Sequence, residues 1–225
     1  MPKRSFNKII QKLKAFYGPP PAPRMTDPFE MVVWENIAYL VDDARRQKIF
    51  EKLSETVGLK PAEILNAPSG AIDEATKLGG MNFQQRSSRL KESALIALNE
   101  FGGDVRNALK PPFAKAIKAL KQFPAIGEPG AEKILLFTKT LPVLSLDSNG
   151  LRVLLRIGFG AEKKTYAASY KSVREAIADQ TGDDFSFLIE SHQLLRQHGK
   201  TLCKTTKPRC DECPVKSSCS FYLNN

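Results

Sequence analysis

Four cysteines close this chain, Cys203, Cys210, Cys213 and Cys219, in the pattern C-x6-C-x2-C-x5-C, and the rest of the sequence holds none. This set constrains the fold more than any hydrophobic pattern does. The last part of the chain must loop so that four thiols turn towards one small sphere. Four soft donors suit a tetrahedral zinc or an iron–sulfur cube, and the spacing arithmetic leaves both open. In a reducing compartment such a cluster reads as a ligand set rather than as disulfides.

The sequence has 225 residues, 42% of them hydrophobic, which is enough for one large or two small domains with real cores. Lys and Arg outnumber Asp and Glu by 34 to 24, a formal charge of +10. A balance of that sign favours a polyanionic partner, nucleic acid before membrane. No stretch reaches the roughly 18 consecutive apolar residues that a membrane span needs. The N-terminal MPKRSFNKIIQKLKAF is basic but lacks an apolar h-region and a small-residue cleavage site. It reads instead as an amphipathic helix with Phe6, Ile9, Ile10, Leu13 and Phe16 on one face. The expected location is cytoplasmic.

Gly18 to Pro23 (GPPPAP) is a stiff connector that cannot be helical. A helix follows, with Asp27 as N-cap, Pro28 at the first position and Glu30 completing a capping box. Phe29, Val32, Val33, Ile37 and Leu40 are its expected buried face. Further helices are expected at about 44–57, 61–67, 70–78, 84–101 and 112–122. The clearest extended run, Leu141 to Leu146, carries Pro142, which argues against a central strand. The expectation is an all-α protein without internal repeats.

Residues 120–135 read as helix, tight turn, helix. Ile126 is an apolar pin between the arms, Gly127 is free to take positive φ, and Pro129 suits the first turn of the second helix. Such a turn aims N–H groups and a helix N-terminus outward, towards a phosphate; the same residues also fit an ordinary αα-corner. Twenty residues past Gly127 comes Asp147, followed by Ser148, Asn149 and Gly150. Ahead of Leu151, Leu154 and Leu155, this Asp also reads as a helix N-cap.

These features, in this order, resemble the endonuclease III branch of the helix–hairpin–helix DNA glycosylases. That family's hairpin L-P-G-V-G-x-K-T-A is FPAIGEPGA here, its essential Asp falls at Asp147, and all three cysteine intervals agree. His198-Gly199-Lys200, Lys207-Pro208-Arg209-Cys210 and Asp27-Pro28-Phe29-Glu30 match as well. The resemblance implies an all-α, two-domain helix–hairpin–helix DNA glycosylase fold with a [4Fe-4S] cluster domain. A six-helix barrel domain would occupy 22–140, and residues 1–21 plus 141–225 would form the cluster domain. DNA would lie across the cleft between them. The implied cofactor is a [4Fe-4S] cluster on the four cysteines. The implied partner is double-stranded DNA with a lesion or an abasic site, bound by a monomer associated with the nucleoid.

The resemblance breaks at one informative place. Where lyase members carry a nucleophilic Lys, two residues after Gly127, stands Pro129. Proline within a chain has no amine to attack the sugar C1′. Lys133, one turn along the same face, is the alternative amine; it also reads as a surface lysine. Asp147 remains, able to stabilise oxocarbenium-like charge or to orient water, so the resemblance implies a monofunctional glycosylase. A non-catalytic binder of damaged DNA is the alternative. Ala125 replaces the first hairpin glycine, Leu40 a polar Gln of the family, and Asn149 a His. DNA contacts are expected from Pro124, Ala125, Ile126, Gly127, Gly130, Leu40, Lys207 and Arg209, with Met81 as the wedge beside a flipped base. Glu35, Asn36 and Asn149 are the candidate pocket residues.

Overall fold

The computed structural model describes residues 4–80 and 83–224, with the side chains of Phe83 and Gln84 left aside. Met81 therefore lies outside the described residues. The secondary structure among the described residues is helical throughout, without a strand. The chain divides into two compact units: Pro23–Thr140, and Met1–Ala22 together with Leu141–Asn225.

The Pro23–Thr140 unit carries α2 (Pro28–Asn36), α3 (Asp43–Thr56), α4 (Pro61–Asn66), α5 (Ser69–Thr76), α6 (Phe83–Phe101), a 3₁₀ turn at Val105–Leu109, α7 (Phe113–Leu120) and α8 (Glu128–Phe137). Asp27 caps α2 as its sequence requires, accepting from the N–H groups of Phe29 at 2.9 Å and Glu30 at 3.1 Å. Phe29, Val32 and Val33 are buried, as is Ile37 at the C-cap. Leu40 departs from the expected stripe. The helix stops at Asn36, and Leu40 sits beyond it at φ 55°, 84% exposed. Periodicity extended the helix by one turn too many, because the break is made by a tertiary contact: Tyr39 N–H donates to the Gly79 carbonyl at 2.8 Å. A side chain on Gly79 would meet Ile37 O at 2.3 Å, and one on Gly80 would meet Tyr39 O at 2.4 Å, so this crossing requires both glycines.

The other unit pairs α1 (Phe6–Tyr17) with α9 (Ser148–Ile157), α10 (Tyr166–Thr181), α11 (Phe185–Thr201), two short 3₁₀ turns at Cys210–Glu212 and Lys216–Ser218, and α12 (Ser220–Leu223). Phe6, Ile9, Ile10 and Leu13 of α1 are buried, and α1 packs on α10 and α11. Phe6 meets Phe159 and Phe187 edge-on at 6.2 and 6.0 Å. Burial of side chains this size stabilises by about 1.5–3 kcal/mol each. Phe16 is half exposed, so the buried stripe ends at Leu13. The run Leu141–Leu146 is extended but pairs with side chains instead of a strand. His192 Nδ1 meets Ser145 O at 2.8 Å, Arg174 donates to Leu144 O at 3.1 Å, and the Tyr170 hydroxyl accepts from Leu146 N–H at 3.4 Å. Pro142 is compatible with that arrangement because no ladder asks it for a donor.

Helices α9 and α11 cross closely. A Cβ on Gly199 would lie 2.7 Å from Asn149 Cβ and 2.8 Å from Asn149 O, so α11 needs a glycine where it crosses the first turn of α9.

Candidate functional site

Between α7 and α8 the chain makes the expected tight turn. Ile126 is 5% exposed, and the Gly127 carbonyl starts α8 by accepting from Ala131 N–H at 2.9 Å. The left-handed position falls at Ala125, which stands where the family's hairpin has its first glycine, and not at Gly127. Gly127 is extended at φ −88°, ψ −174°, while Ala125 takes the left-handed conformation at φ 62°. Ala125 and Gly127 are exposed, and a methyl group on Gly130 would make only ordinary contact with Ile126, 3.5 Å away. Pro124 is tied to α2: Asn36, 4% exposed, donates through Nδ2 to Pro124 O at 2.9 Å and to Val32 O at 3.0 Å. Asn36 thus holds the hairpin to the helix that precedes it.

Glu35, next to Asn36, is ion-paired with Lys133 and approaches Arg46 at 3.7 Å. Lys133 and Glu35 are both largely shielded, with side-chain exposures of 21% and 28%. An amine engaged by a carboxylate in this way is not free to act as a nucleophile on a sugar carbon. The pair joins α2 to α8.

In the second unit Asp147 caps α9, accepting from Gly150 N–H through Oδ1 at 2.7 Å. Its other oxygen faces two donors: Asn149 Nδ2 at 3.1 Å and Arg196 Nε at 3.4 Å. Asn149 is itself held by Arg152, whose Nη2 donates to Asn149 Oδ1 at 2.9 Å and to Gly199 O at 2.8 Å. The same guanidinium reaches Cys203 O through Nε at 2.9 Å. A continuous chain of hydrogen bonds therefore runs from Asp147 to the backbone of the first cysteine. Tyr166, stacked on Tyr170 with ring centroids 6.1 Å apart, donates to Leu146 O at 3.4 Å. Tyr166 is 47% exposed as a whole, and the desolvation of its covered part, with a smaller effect from the Asp147 charge, pushes its phenol up to about 12.

All four cysteines line one cavity, together with apolar side chains that include Val153, Leu202 and Val215. Arg156 brings a positive charge to Cys203 Sγ at 3.5 Å, stacks over the Phe221 ring at 4.6 Å, and donates to Lys204 O and Thr205 O at 2.6 and 3.0 Å. Burial pushes the Cys213 thiol up to about 11, with repulsion from the other three cysteines adding to it. Thiolates gathered in one apolar space repel until a cation sits among them, so the donor set fits a metal group. Among the described residues, no three His, Cys, Asp or Glu side chains are gathered closely enough to hold one ion, so the fit rests on the shared cavity. His198 is 1% exposed and sits beside this cavity, its Nε2 3.5 Å from Cys213 Sγ. Burial brings its imidazole down to about 4.

Lys207 is exposed and left-handed at φ 51°, at the tip of the loop between the first two cysteines. Arg209 forks onto Glu212 at 2.7 and 2.5 Å, a pairing that was not anticipated from its motif. Arg152, Arg156, Arg196 and Tyr166 were missed by sequence reasoning. The first two lie at helical spacing from Asn149, facing the cysteine loop, and that spacing was the available signal.

No protein-family model matches the chain. Among characterised proteins it is similar to endonuclease III of Sulfolobus acidocaldarius, with 29% identity over 178 residues, covering 78% of this chain and 74% of the relative. Endonuclease III of Thermotoga maritima is 25% identical over 197 residues, covering 88% and 84%. Among solved structures, a trapped endonuclease III–DNA covalent intermediate superposes with a TM-score of 0.79 at 16% identity, over 100% of this chain and 98% of the other. A thermostable thymine-DNA glycosylase superposes with a TM-score of 0.77 at 20% identity, over 97% and 95%.

Proposed function

We propose that this chain, an endonuclease III-like protein with the helix–hairpin–helix DNA glycosylase fold, is a base-excision repair glycosylase that hydrolyses the N-glycosidic bond of a damaged or mismatched base in double-stranded DNA and does not cleave the strand. The observation that carries the monofunctional part is the fate of the amine. Position 129 is a proline, and the next amine along α8, Lys133, is engaged by Glu35. Asp147 is then the catalytic group. Its Oδ1 is spent on the α9 cap, and its Oδ2 carries the charge that would stabilise the sugar cation as the base departs. Asn149 and Arg196 fix the orientation of that oxygen, and part of its charge is offset by the arginine until substrate arrives.

Phosphate binding falls to the hairpin from Pro124 to Gly130, where the N-terminus of α8 offers N–H groups. Lys207 adds a charge that reads no sequence. Leu40 and Tyr39, exposed beside the Gly79-Gly80 crossing, are the apolar residues set to fill the space of an extruded base. The cofactor is a [4Fe-4S] cluster held by Cys203, Cys210, Cys213 and Cys219; when bound it supplies a covalent staple for the C-terminal loop. The cysteine spacing, the shared cavity and the similarity to endonuclease III support this. Among the described residues no helix is long and apolar enough to cross a membrane.

Duplexes carrying a panel of damaged bases, and one with an abasic site, test the proposal with and without borohydride. Base release without a trapped adduct is expected. A borohydride-trapped adduct refutes monofunctionality, and binding without release across the panel favours a non-catalytic damage binder. Asp147→Asn is expected to lower base release by at least a hundredfold with DNA affinity retained, the order associated with loss of a charge-stabilising group. Full activity in that variant removes Asp147 from the chemistry.

A further inference from the structure

His198 bridges the cysteine cavity and the end of the N-terminal helix. Its Nε2 lies 3.5 Å from Cys213 Sγ, and its Nδ1 lies 2.9 Å from the Tyr17 hydroxyl. The Tyr17 oxygen is in turn 2.9 Å from Thr201 Oγ1. The Tyr17 and His198 rings meet edge-on at 5.9 Å, so the imidazole is clamped in rotation as well as hydrogen-bonded at both nitrogens.

The direction of the protons in this chain follows from the charge on sulfur. A cysteine ligated to a metal group is a thiolate and can only accept. Nε2 must then carry hydrogen, which leaves Nδ1 as an acceptor in the neutral ring. Nδ1 takes the Tyr17 hydroxyl proton, and the Tyr17 oxygen takes the proton of Thr201. The Thr201 hydroxyl also donates to Gln197 O at 2.9 Å, a competing acceptor that lies within α11 and is served by the helix ladder when the hydroxyl turns to Tyr17. Releasing it leaves no buried acceptor unpaired. All three protons can therefore point the same way, towards Cys213.

We propose that Thr201, Tyr17 and His198 form a directed hydrogen-bond relay that donates to the Cys213 thiolate and raises the reduction potential of the cluster it ligates. This rests on the cluster reading above. A donor to a ligating sulfur withdraws electron density and favours the state with one more electron. His198 and Tyr17 are positioning residues here, since neither would touch iron. The relay assigns the N-terminal helix a role beyond packing, because its last residue sets which tautomer His198 presents to the cluster.

The test uses the full chain loaded with iron and sulfide, with both elements quantified, and reads the midpoint potential by protein-film voltammetry in wild type, Tyr17→Phe, His198→Leu and His198→Gln. Loss of one such hydrogen bond is expected to change the reduction equilibrium about three- to tenfold, a fall of about 30–60 mV for one electron. His198→Leu should show the full fall and Tyr17→Phe a smaller one. His198→Gln, whose amide keeps a donor, should recover part of it. Unchanged potentials in His198→Leu and Tyr17→Phe, at wild-type iron and sulfide content, overturn the relay and leave the cofactor reading standing. A wild-type protein that takes up no iron and sulfide overturns the cofactor reading and the relay with it. Where His198→Leu does not load, Tyr17→Phe decides alone, because it removes only an oxygen from a ring that stays packed.

Discussion

Ala125→Gly should stabilise this protein, although replacing alanine by glycine ordinarily does the reverse. Ala125 stands at φ 62° in the hairpin turn, exposed to solvent. An L-residue with a side chain in that conformation costs about 1–2 kcal/mol. Glycine removes the cost but gives the unfolded chain more freedom, which takes back about 0.4–1 kcal/mol. The exposed methyl has little packing to lose, so the middle of the two ranges leaves a gain of about 0.8 kcal/mol. For a chain of this length each kcal/mol moves the midpoint by about 2–4 °C, which predicts a rise of about 1–4 °C in the transition that melts the Pro23–Thr140 unit. Thermal unfolding followed by far-UV circular dichroism measures it, with Gly127→Ala as comparison. Gly127 is extended, and alanine adopts that conformation without strain, so this second variant should leave the midpoint unchanged or slightly raised. A fall in midpoint for Ala125→Gly together with a loss for Gly127→Ala would refute the assignment of the left-handed position to 125.

Gly199→Ala should destabilise by about 1–3 kcal/mol, since its methyl would overlap Asn149 where α11 crosses α9; a denaturant midpoint equal to that of wild type would show the crossing to be looser than described. Lys207→Ala should weaken binding to all duplexes alike and reduce the slope of log affinity against log salt by about 1, whereas Arg209→Ala should change it less because Glu212 already neutralises that side chain. In an alkaline titration followed by phenolate absorbance, the step near pH 12 should vanish in Tyr166→Phe. Because the folded phenol titrates above the unfolded value of about 10, its contribution to stability is complete below pH 10 and is lost as pH rises through the folded value.

The elements legible in the sequence were those whose signal is local. Asp27 and Pro28 announce the start of α2, and the structure places the cap bonds on the expected donors. Phe6, Ile9, Ile10 and Leu13 lie at helical spacing, and all four are buried. Where a distant contact decides, the local signal misleads. Leu40 continues the apolar period of α2, yet the helix ends early because Gly79 captures the Tyr39 amide. In the hairpin, composition points to Gly127 because glycine tolerates positive φ, although Ala125 stands where the family's hairpin carries its first glycine. The chain instead bends at Ala125, where the turn geometry requires it whatever the residue. Lys133 and Glu35 are 98 positions apart, so their pairing leaves no trace in spacing.

The double reading of Asp147 is where sequence and structure bear on each other most directly. An Asp ahead of a helix is explained by capping alone, and that explanation competes with catalysis only while the carboxylate is treated as one object. Its two oxygens are in different positions. Oδ1 makes the cap at 2.7 Å, which fixes the carboxylate plane and is worth about 1 kcal/mol to the helix. Oδ2 has longer bonds, to Asn149 at 3.1 Å and Arg196 at 3.4 Å, both from side chains that can be exchanged for another partner. A cap would therefore give the oxygen of the proposed chemistry a fixed origin at no cost to the helix, and Asn149 ties that origin through Arg152 to the cysteine loop. Under the proposed function, capping is how the chain would position the charge, and the short Oδ1 bond is a reason to place the proposed chemistry on Oδ2.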